Sequence, residues 1–170
     1  SPVPLPLTRS LESVLGRFDD PKRLGWSGVI PPLWGAEDFV VGHNGNDLGL
    51  AVGAPVTAAQ TGVVAHVDPQ DNDDAGVWAA VTHKCPECSG WFLTRSLHLQ
   101  VGSLLVVNGE TVAKGQKIAR GDTTGSANWP HLHFDLRHSP SPTANRAASF
   151  GPTWGVPYDP QAWKLLDYPP

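Results

Sequence analysis

The sequence predicts an all-β fold: an antiparallel β-sheet domain with a groove over the sheet, plus a short N-terminal helical arm. Three observations predict it. The apolar runs are short, they are bounded by abundant glycine and proline (18 and 17 of 170 residues), and turn pairs such as Asn108-Gly109 separate them. The β-rich runs are Val56 to Ala58, Gly62 to Val67, Val77 to His83, Trp91 to Leu99, Leu104 to Val107, Gln116 to Arg120 and His131 to Arg137. Strand following strand with no long helical pattern between them is the signature of an antiparallel domain, not of a βαβ sheet.

A chain of 170 residues suits one compact domain with a single core. Its first residues, SPVPLPL, read as an extended arm because proline restricts the backbone and removes donors. Leu11, Val14, Leu15 and Phe18 then recur at i, i+3, i+4 and i+7 behind Ser10 as a cap, which predicts a short helix from roughly Ser10 to Arg17. Residues 1–35 are too few for a core of their own, so this Pro-rich arm is expected to pack on the domain formed by residues 36–170. The stretch Val29 to Pro32 and Trp34 reads as a connecting segment. The acidic Asp68 to Gly76 loop reads as a solvated turn, and with the Ser139 to Pro152 loop it is one of two longer loops of the kind that build a substrate groove on a β scaffold.

Charge narrows the partners. Charged residues are 16% of the chain and the net charge is -4, which leaves no electrostatic footprint for nucleic acid or anionic lipid. No apolar stretch approaches membrane-spanning length. A monomer is expected. Methionine is absent even at the first position, which a removed targeting segment or a trimmed chain explains equally well. Cys85 and Cys88 form a Cys-x-x-Cys hairpin that suits a local disulfide in an oxidising compartment. A metal knuckle is the alternative, with His83 as the obvious third ligand of the four such a site needs.

Seven histidines invite a search for a metal site. In the strand-like run HLHFDLR, His131 and His133 are two apart and so project from one face, while Leu132 and Phe134 project from the other. In His43-Asn44-Gly45-Asn46-Asp47, the glycine and the asparagines argue for a tight loop that brings His43 and Asp47 round to one point. Zinc takes imidazole and carboxylate ligands, and catalytic sites commonly use three protein ligands plus water. His98 sits alone in a strand. The helical His-Glu-x-x-His motif is absent, which excludes that class of zinc protease.

These motifs together resemble the lysostaphin/LytM-type zinc metallopeptidases, which cut peptide bridges in bacterial peptidoglycan. The match runs from about Gly42 to Trp163 and rests on HNGND, Gly53-Ala54-Pro55-Val56, Ser96-Leu97-His98-Leu99, Gly109 to Ile118, Thr124-Gly125 with HLHF, and Pro157-Tyr158-Asp159-Pro160. The resemblance implies Zn2+ held by His43, Asp47 and His133, with His98 and His131 as non-ligand catalytic histidines whose roles stay undivided. It implies a peptidoglycan peptide as substrate, through either a glycyl bridge or a D-alanyl cross-link, and a secreted or periplasmic location. The alternative is a non-catalytic extracellular binding or regulatory module of the same fold. Asn128-Trp129-Pro130 departs from the smaller residues common before the family's HLH, and the family does not require Cys85 or Cys88.

Overall fold

The computed structural model describes residues 45–84 and 90–138 with their side chains, and the backbone of strands outside those ranges. In chain order the strands are β1 (Val14–Gly16), β2 (Trp26–Ile30), β3 (Asp38–Gly42), β4 (Asn46–Gly49), β5 (Pro55–Thr57), β6 (Gly62–Asp68), β7 (Val77–Lys84), β8 (Trp91–Leu99), β9 (Thr111–Val112), β10 (Lys117–Arg120), β11 (His131–Ser139) and β12 (Val156–Tyr158). The main sheet runs β1-β4-β11-β8-β7-β6-β9, with β12 also on β11, and every pairing in it is antiparallel. Two small antiparallel ribbons, β10-β5 and β2-β3, complete the described strands. Among the described residues there is no helix, so the fold is an all-β antiparallel one.

The central strands β4, β11, β8 and β7 are buried on both faces. On one side Leu48, Val56, Val81, Leu99, Leu132 and Phe134 belong to the larger apolar core, closed by the β10-β5 ribbon through Ile118 and Ala119. On the other, Trp78, Ala80, Leu93 and Leu97 form a smaller cluster. Strict alternation along β11 sorts its side chains between these faces, which is how one strand serves core and site at once.

Three expectations are corrected. Of the helix expected from Ser10 to Arg17, the described residues Val14–Gly16 are strand, with Val14 opposite Leu48 and Gly16 opposite Asp47. A lone helix of two turns is marginal in water, whereas the outer edge of β4 offers a row of unpaired backbone groups, and satisfying that edge wins. Within the expected connecting segment, Val29 and Ile30 instead lie in β2, which pairs with β3. Leu104 to Val107 is not a strand: Val106 is buried between Leu105 and Val107, 63% and 66% exposed, and isolated hydrogen bonds tie the segment down, among them Leu105 N–H to the Ile118 carbonyl (2.9 Å) and Val107 N–H to Glu110 Oε2 (3.1 Å). Asn108-Gly109 is a turn, as expected, with Gly109 at positive φ. Cys85 and Cys88 lie outside the described residues.

The backbone of β4 is pressed against β11 where the chain enters it. A Cβ on Gly45 would stand 2.5 Å from the Phe134 carbonyl oxygen, 2.8 Å from Asp135 Cβ and 2.9 Å from His133 Nε2. Only glycine allows that approach. Gly45→Ala is expected to destabilise the fold by about 1–3 kcal/mol through overpacking, read as a lower denaturant midpoint; an unchanged midpoint would contradict the packing.

His83, buried near the end of β7, donates from Nδ1 to the Thr61 carbonyl (2.9 Å) and accepts at Nε2 from the Thr94 hydroxyl (2.8 Å). Both ring nitrogens are thus committed within the sheet, so serving a knuckle at the cysteines would require breaking one of these bonds. Burial lowers its pKa from 6.5 to about 4, against the opposing pull of the Thr61 carbonyl. Between those values the unfolded chain takes up a proton that the folded chain refuses. Stability from this residue is therefore complete above pH 6.5 and is lost as pH falls toward 4, by an amount on the order of 3 kcal/mol. A His83→Gln variant, compared with the parent by denaturant titration across that window, is expected to show a shallower pH slope.

Candidate active site

Alternation on β11 puts His131, His133, Asp135 and Arg137 on one face, opposite Leu132, Phe134 and Leu136. The register with β4 sets Asp47 directly across from His133 and Gly49 across from His131. As a result Asp47 Oδ1 lies 3.2 Å from His133 Nδ1 and 3.5 Å from His131 Nε2. Asp47 is therefore delivered by a strand and not by the tight loop expected from its glycine and asparagines, because Asn46 and Asp47 find ladder partners in Phe134 and His133. His43 lies outside the described residues.

His98 joins this group by a break in alternation. Regular β8 geometry would aim it away from His133, because its even-numbered neighbours Ser96 and Thr94 sit opposite Phe134 and Leu136. Between the pairs Ala79–Ser96 and Val77–Leu99 the strand carries an extra residue, and His98 has φ 63, the one positive value at a non-glycine residue among those described. The bulge reverses the side-chain phase, so that Leu97 packs in the smaller cluster and Leu99 in the larger core. His98 is thereby turned onto the site face, its ring centroid 4.9 Å from that of His131 and 6.2 Å from that of His133.

The loops hold that conformation. His98 N–H donates to the Ala75 carbonyl, its own carbonyl accepts from Asp122 N–H, and its ring Nδ1–H donates to the Thr124 carbonyl at 2.7 Å. Thr124 is itself fixed, its hydroxyl donating to the Leu99 carbonyl and accepting from Val77 N–H. Expected to be merely solvated, the acidic loop instead braces this segment: Asp71 Oδ1 accepts from Gly125 N–H (2.8 Å) and the Asp74 carbonyl from Ser126 N–H (3.0 Å). Asp68, Asp71 and Asp73 each give a carboxylate oxygen to a backbone N–H.

The hydrogen bonds also assign protons. His98 and His131 each give Nδ1–H to a carbonyl, of Thr124 and of Trp129 (2.8 Å), which leaves both Nε2 atoms with a lone pair. Burial, then the neighbouring His133 and His131, lower the His98 pKa to about 3, outweighing the Thr124 carbonyl and Asp47, so this ring is neutral at pH 7. His133 is raised instead: burial alone would lower it, but its bonds to Asp135 and Asp47 prevail. The indole of Trp129 leans on His131, centroids 4.3 Å apart and planes at 40°.

Sequence reasoning missed the charges beneath the histidines. Asp135 and Arg95, fully buried, form a side-on pair, with Arg95 Nε 2.8 Å from Oδ1 and Nη2 2.6 Å from Oδ2, and Arg137 Nε reaches Oδ1 at 3.2 Å. Burial would raise the Asp135 pKa, yet Arg95 and Arg137 hold it well below the carboxylate range. Burial and Arg95 push Arg137 down to about 10. The alternation that paired His131 with His133 continues to Asp135 and Arg137, and that signal was available. The remaining described histidines lie elsewhere, His66 against Trp78, His83 between Thr61 and Thr94, and His138 against Phe92.

The donor chemistry fits a zinc ion in part. Asp47 Oδ1 is faced by the His131 Nε2 lone pair, two acceptors with no proton of their own between them, and by His133 Nδ1, whose ring gives its other N–H to Asp135 Oδ2 at 3.2 Å. A carboxylate and imidazoles converging in this way suit a cation. Among the described residues no group of three histidine, cysteine, aspartate or glutamate side chains is arranged to hold a metal by itself. Asp47 and His133 are two of the three expected ligands, and His43 is the third.

Comparison with known proteins follows the same residues. The profile of peptidase family M23 matches residues 41–145. The peptidoglycan DD-endopeptidase ShyB of Vibrio cholerae is 36% identical over 133 residues, covering 75% of this chain and 28% of ShyB. ShyA of the same organism, also a peptidoglycan DD-endopeptidase, is 35% identical over 97 residues, 57% of this chain and 20% of its own. The chain thus spans between 20% and 28% of the length of these curated relatives. Among solved structures, a zinc-containing peptidase from Vibrio cholerae superposes with a TM-score of 0.57 at 32% identity, over 86% of this chain and 40% of that one. The catalytic domain of lysostaphin from Staphylococcus simulans, at 22% identity, shares the fold with a TM-score of 0.55 over 85% of this chain and 91% of its own. The profile covers β4 through β11, the strands that carry Asp47, His98, His131 and His133, and the chain belongs to peptidase family M23.

Proposed function

We propose that this chain is a zinc-dependent endopeptidase that hydrolyses a DD-type peptide bond in peptidoglycan, acting outside the cytoplasm. One observation carries the reading: a buried carboxylate and three imidazoles gather on one face of the sheet, and the backbone at His98 adopts a rare conformation to complete the group. Non-glycine residues at positive φ cost about 1–3 kcal/mol, and such strain persists where the surroundings enforce it, often at functional sites. The substrate class comes from the named activity of the two Vibrio cholerae relatives. Peptidoglycan lies outside the cytoplasmic membrane, which is the ground for the location, and no described helix is long and apolar enough to cross a membrane. Residues 36–170 would form the peptidase domain, with residues 1–35 as an arm packed on it.

In this reading His43, Asp47 and His133 hold the zinc. When bound, zinc polarises the scissile carbonyl and lowers the pKa of the attacking water. His98 and His131 face the reacting group from the same side: between them they orient or deprotonate the attacking water, stabilise the developing oxyanion and pass a proton to the leaving nitrogen as the amide bond breaks. Their Nδ1–H bonds to the Thr124 and Trp129 carbonyls hold the tautomer this needs. Trp129, against His131, walls the same site.

The test is digestion of purified peptidoglycans that differ in cross-link chemistry, with released peptides identified by mass spectrometry. New termini at a DD bond are expected. A zinc-loaded protein that binds peptidoglycan yet releases nothing would favour a non-catalytic module. Alanine at His43, Asp47 or His133 is expected to abolish tight zinc binding. Alanine at His98 or His131 is expected to keep the zinc, by elemental analysis, and to lower the rate by about 10²–10⁴. Loss of zinc in His131→Ala would reverse the assignment of the two histidines of the HLH run.

A further inference from the structure

We infer that Asp135, clamped between Arg95 and Arg137, is a positioning residue that dictates which nitrogen of His133 faces the metal. The inference rests on the reading that His133 is a zinc ligand and adds to it the atom that does the ligating. A carboxylate offers about four acceptor positions. Here Oδ1 receives Arg95 Nε (2.8 Å) and Arg137 Nε (3.2 Å), and Oδ2 receives Arg95 Nη2 (2.6 Å) and His133 Nε2–H (3.2 Å). All of these groups are buried, so water offers no alternative partner.

The clamp leaves Asp135 no freedom to turn. Side-on engagement by Arg95 fixes the carboxylate plane, and Arg95 is itself held with its guanidinium carbon 5.5 Å from the centre of the Trp78 ring. Guanidinium N–H groups donate to both of its oxygens, so Asp135 meets His133 as an acceptor. A lone pair on His133 Nε2 would face a carboxylate lone pair, which is repulsive. Nε2–H is thereby directed at Asp135, and Nδ1, 3.2 Å from Asp47 Oδ1, is the nitrogen on the side of the other expected ligand. Carboxylate–histidine–metal relays of this kind orient the ring and raise its basicity as a ligand. Cross-strand register builds the device: Asp135 sits opposite Arg95, and His133, Asp135 and Arg137 follow one another on the same face of β11.

A purely structural role for the buried charges would stabilise the fold without caring which nitrogen binds metal. The distinguishing measurement is made on the wild-type, zinc-loaded protein by ¹⁵N-edited NMR of its histidines. His133 is expected as the Nε2–H tautomer with Nδ1 bound to zinc. Asp135→Asn is then examined for zinc affinity by competition with a chromophoric chelator, with its folded state checked by amide spectra. The expected loss is about 10–100-fold in affinity, with His133 no longer held to a single tautomer. Zinc on His133 Nε2 in the wild type, or wild-type affinity in folded Asp135→Asn, overturns the inference while leaving zinc ligation by His133 intact. A wild-type protein that takes up no zinc overturns the underlying reading and the inference with it.

Discussion

The register of β11 between its two neighbours is the constraint on which the site depends. On one side it sets Asp47 across from His133, and on the other it sets Arg95 across from Asp135. Because side chains alternate strictly along a strand, a slip of one residue would send Leu132 and Phe134 to the site face and both histidines into the apolar core. The core guards against that slip. Leu132 and Phe134 are fully enclosed in it, and exposing either would forfeit about 1.5–3 kcal/mol of burial. Hydrophobic packing on one face thus specifies polar geometry on the other.

Placing charge under such a site is costly, since each ion loses its hydration and recovers it only through good partners. Two buried carboxylates, Asp47 and Asp135, are set among two buried guanidinium groups, Arg95 and Arg137, and the histidines that bond to them. The arginines neutralise Asp135 so thoroughly that it remains a pure acceptor, while Asp47 is approached by the imidazoles. The site therefore has layers, with a fixed ionic base under a group of imidazoles whose protons are dictated from below and from the sides. Such support is what keeps a few side chains within the narrow tolerance that catalysis demands.

His98 shows the opposite device, in which the backbone and not a side-chain partner does the positioning. A regular strand cannot present His98 to His131, so β8 departs from its ladder for one step, and the loops at Ala75, Asp122 and Thr124 take up its backbone and ring donors and acceptors. The acidic segment before β7 acts directly through the Ala75 carbonyl and also at one remove, by anchoring Gly125 and Ser126. Strain at one residue is thus offset by three hydrogen bonds drawn from two connections.

What the sequence by itself determined is whatever is periodic or carried by short motifs. Short apolar runs with glycine and proline between them declare an antiparallel β domain, and the two-residue spacing of His131 and His133 declares a shared face, because both follow from the geometry of a single strand. The resemblance brought Asp47 and His98 into the same site without saying how they reach it. Tertiary structure decided the rest, because the deciding partners are distant along the chain. Val14 to Gly16 abandons a helical pattern to cover an edge 32 or so residues away, as its pairing with Leu48 and Asp47 shows. Asp47 leaves its expected loop because β11 offers it a ladder. The turn of His98 onto the site face depends on a bulge against β7, and the proton on His133 depends on Arg95 and Arg137 acting through Asp135, relations that no local pattern encodes.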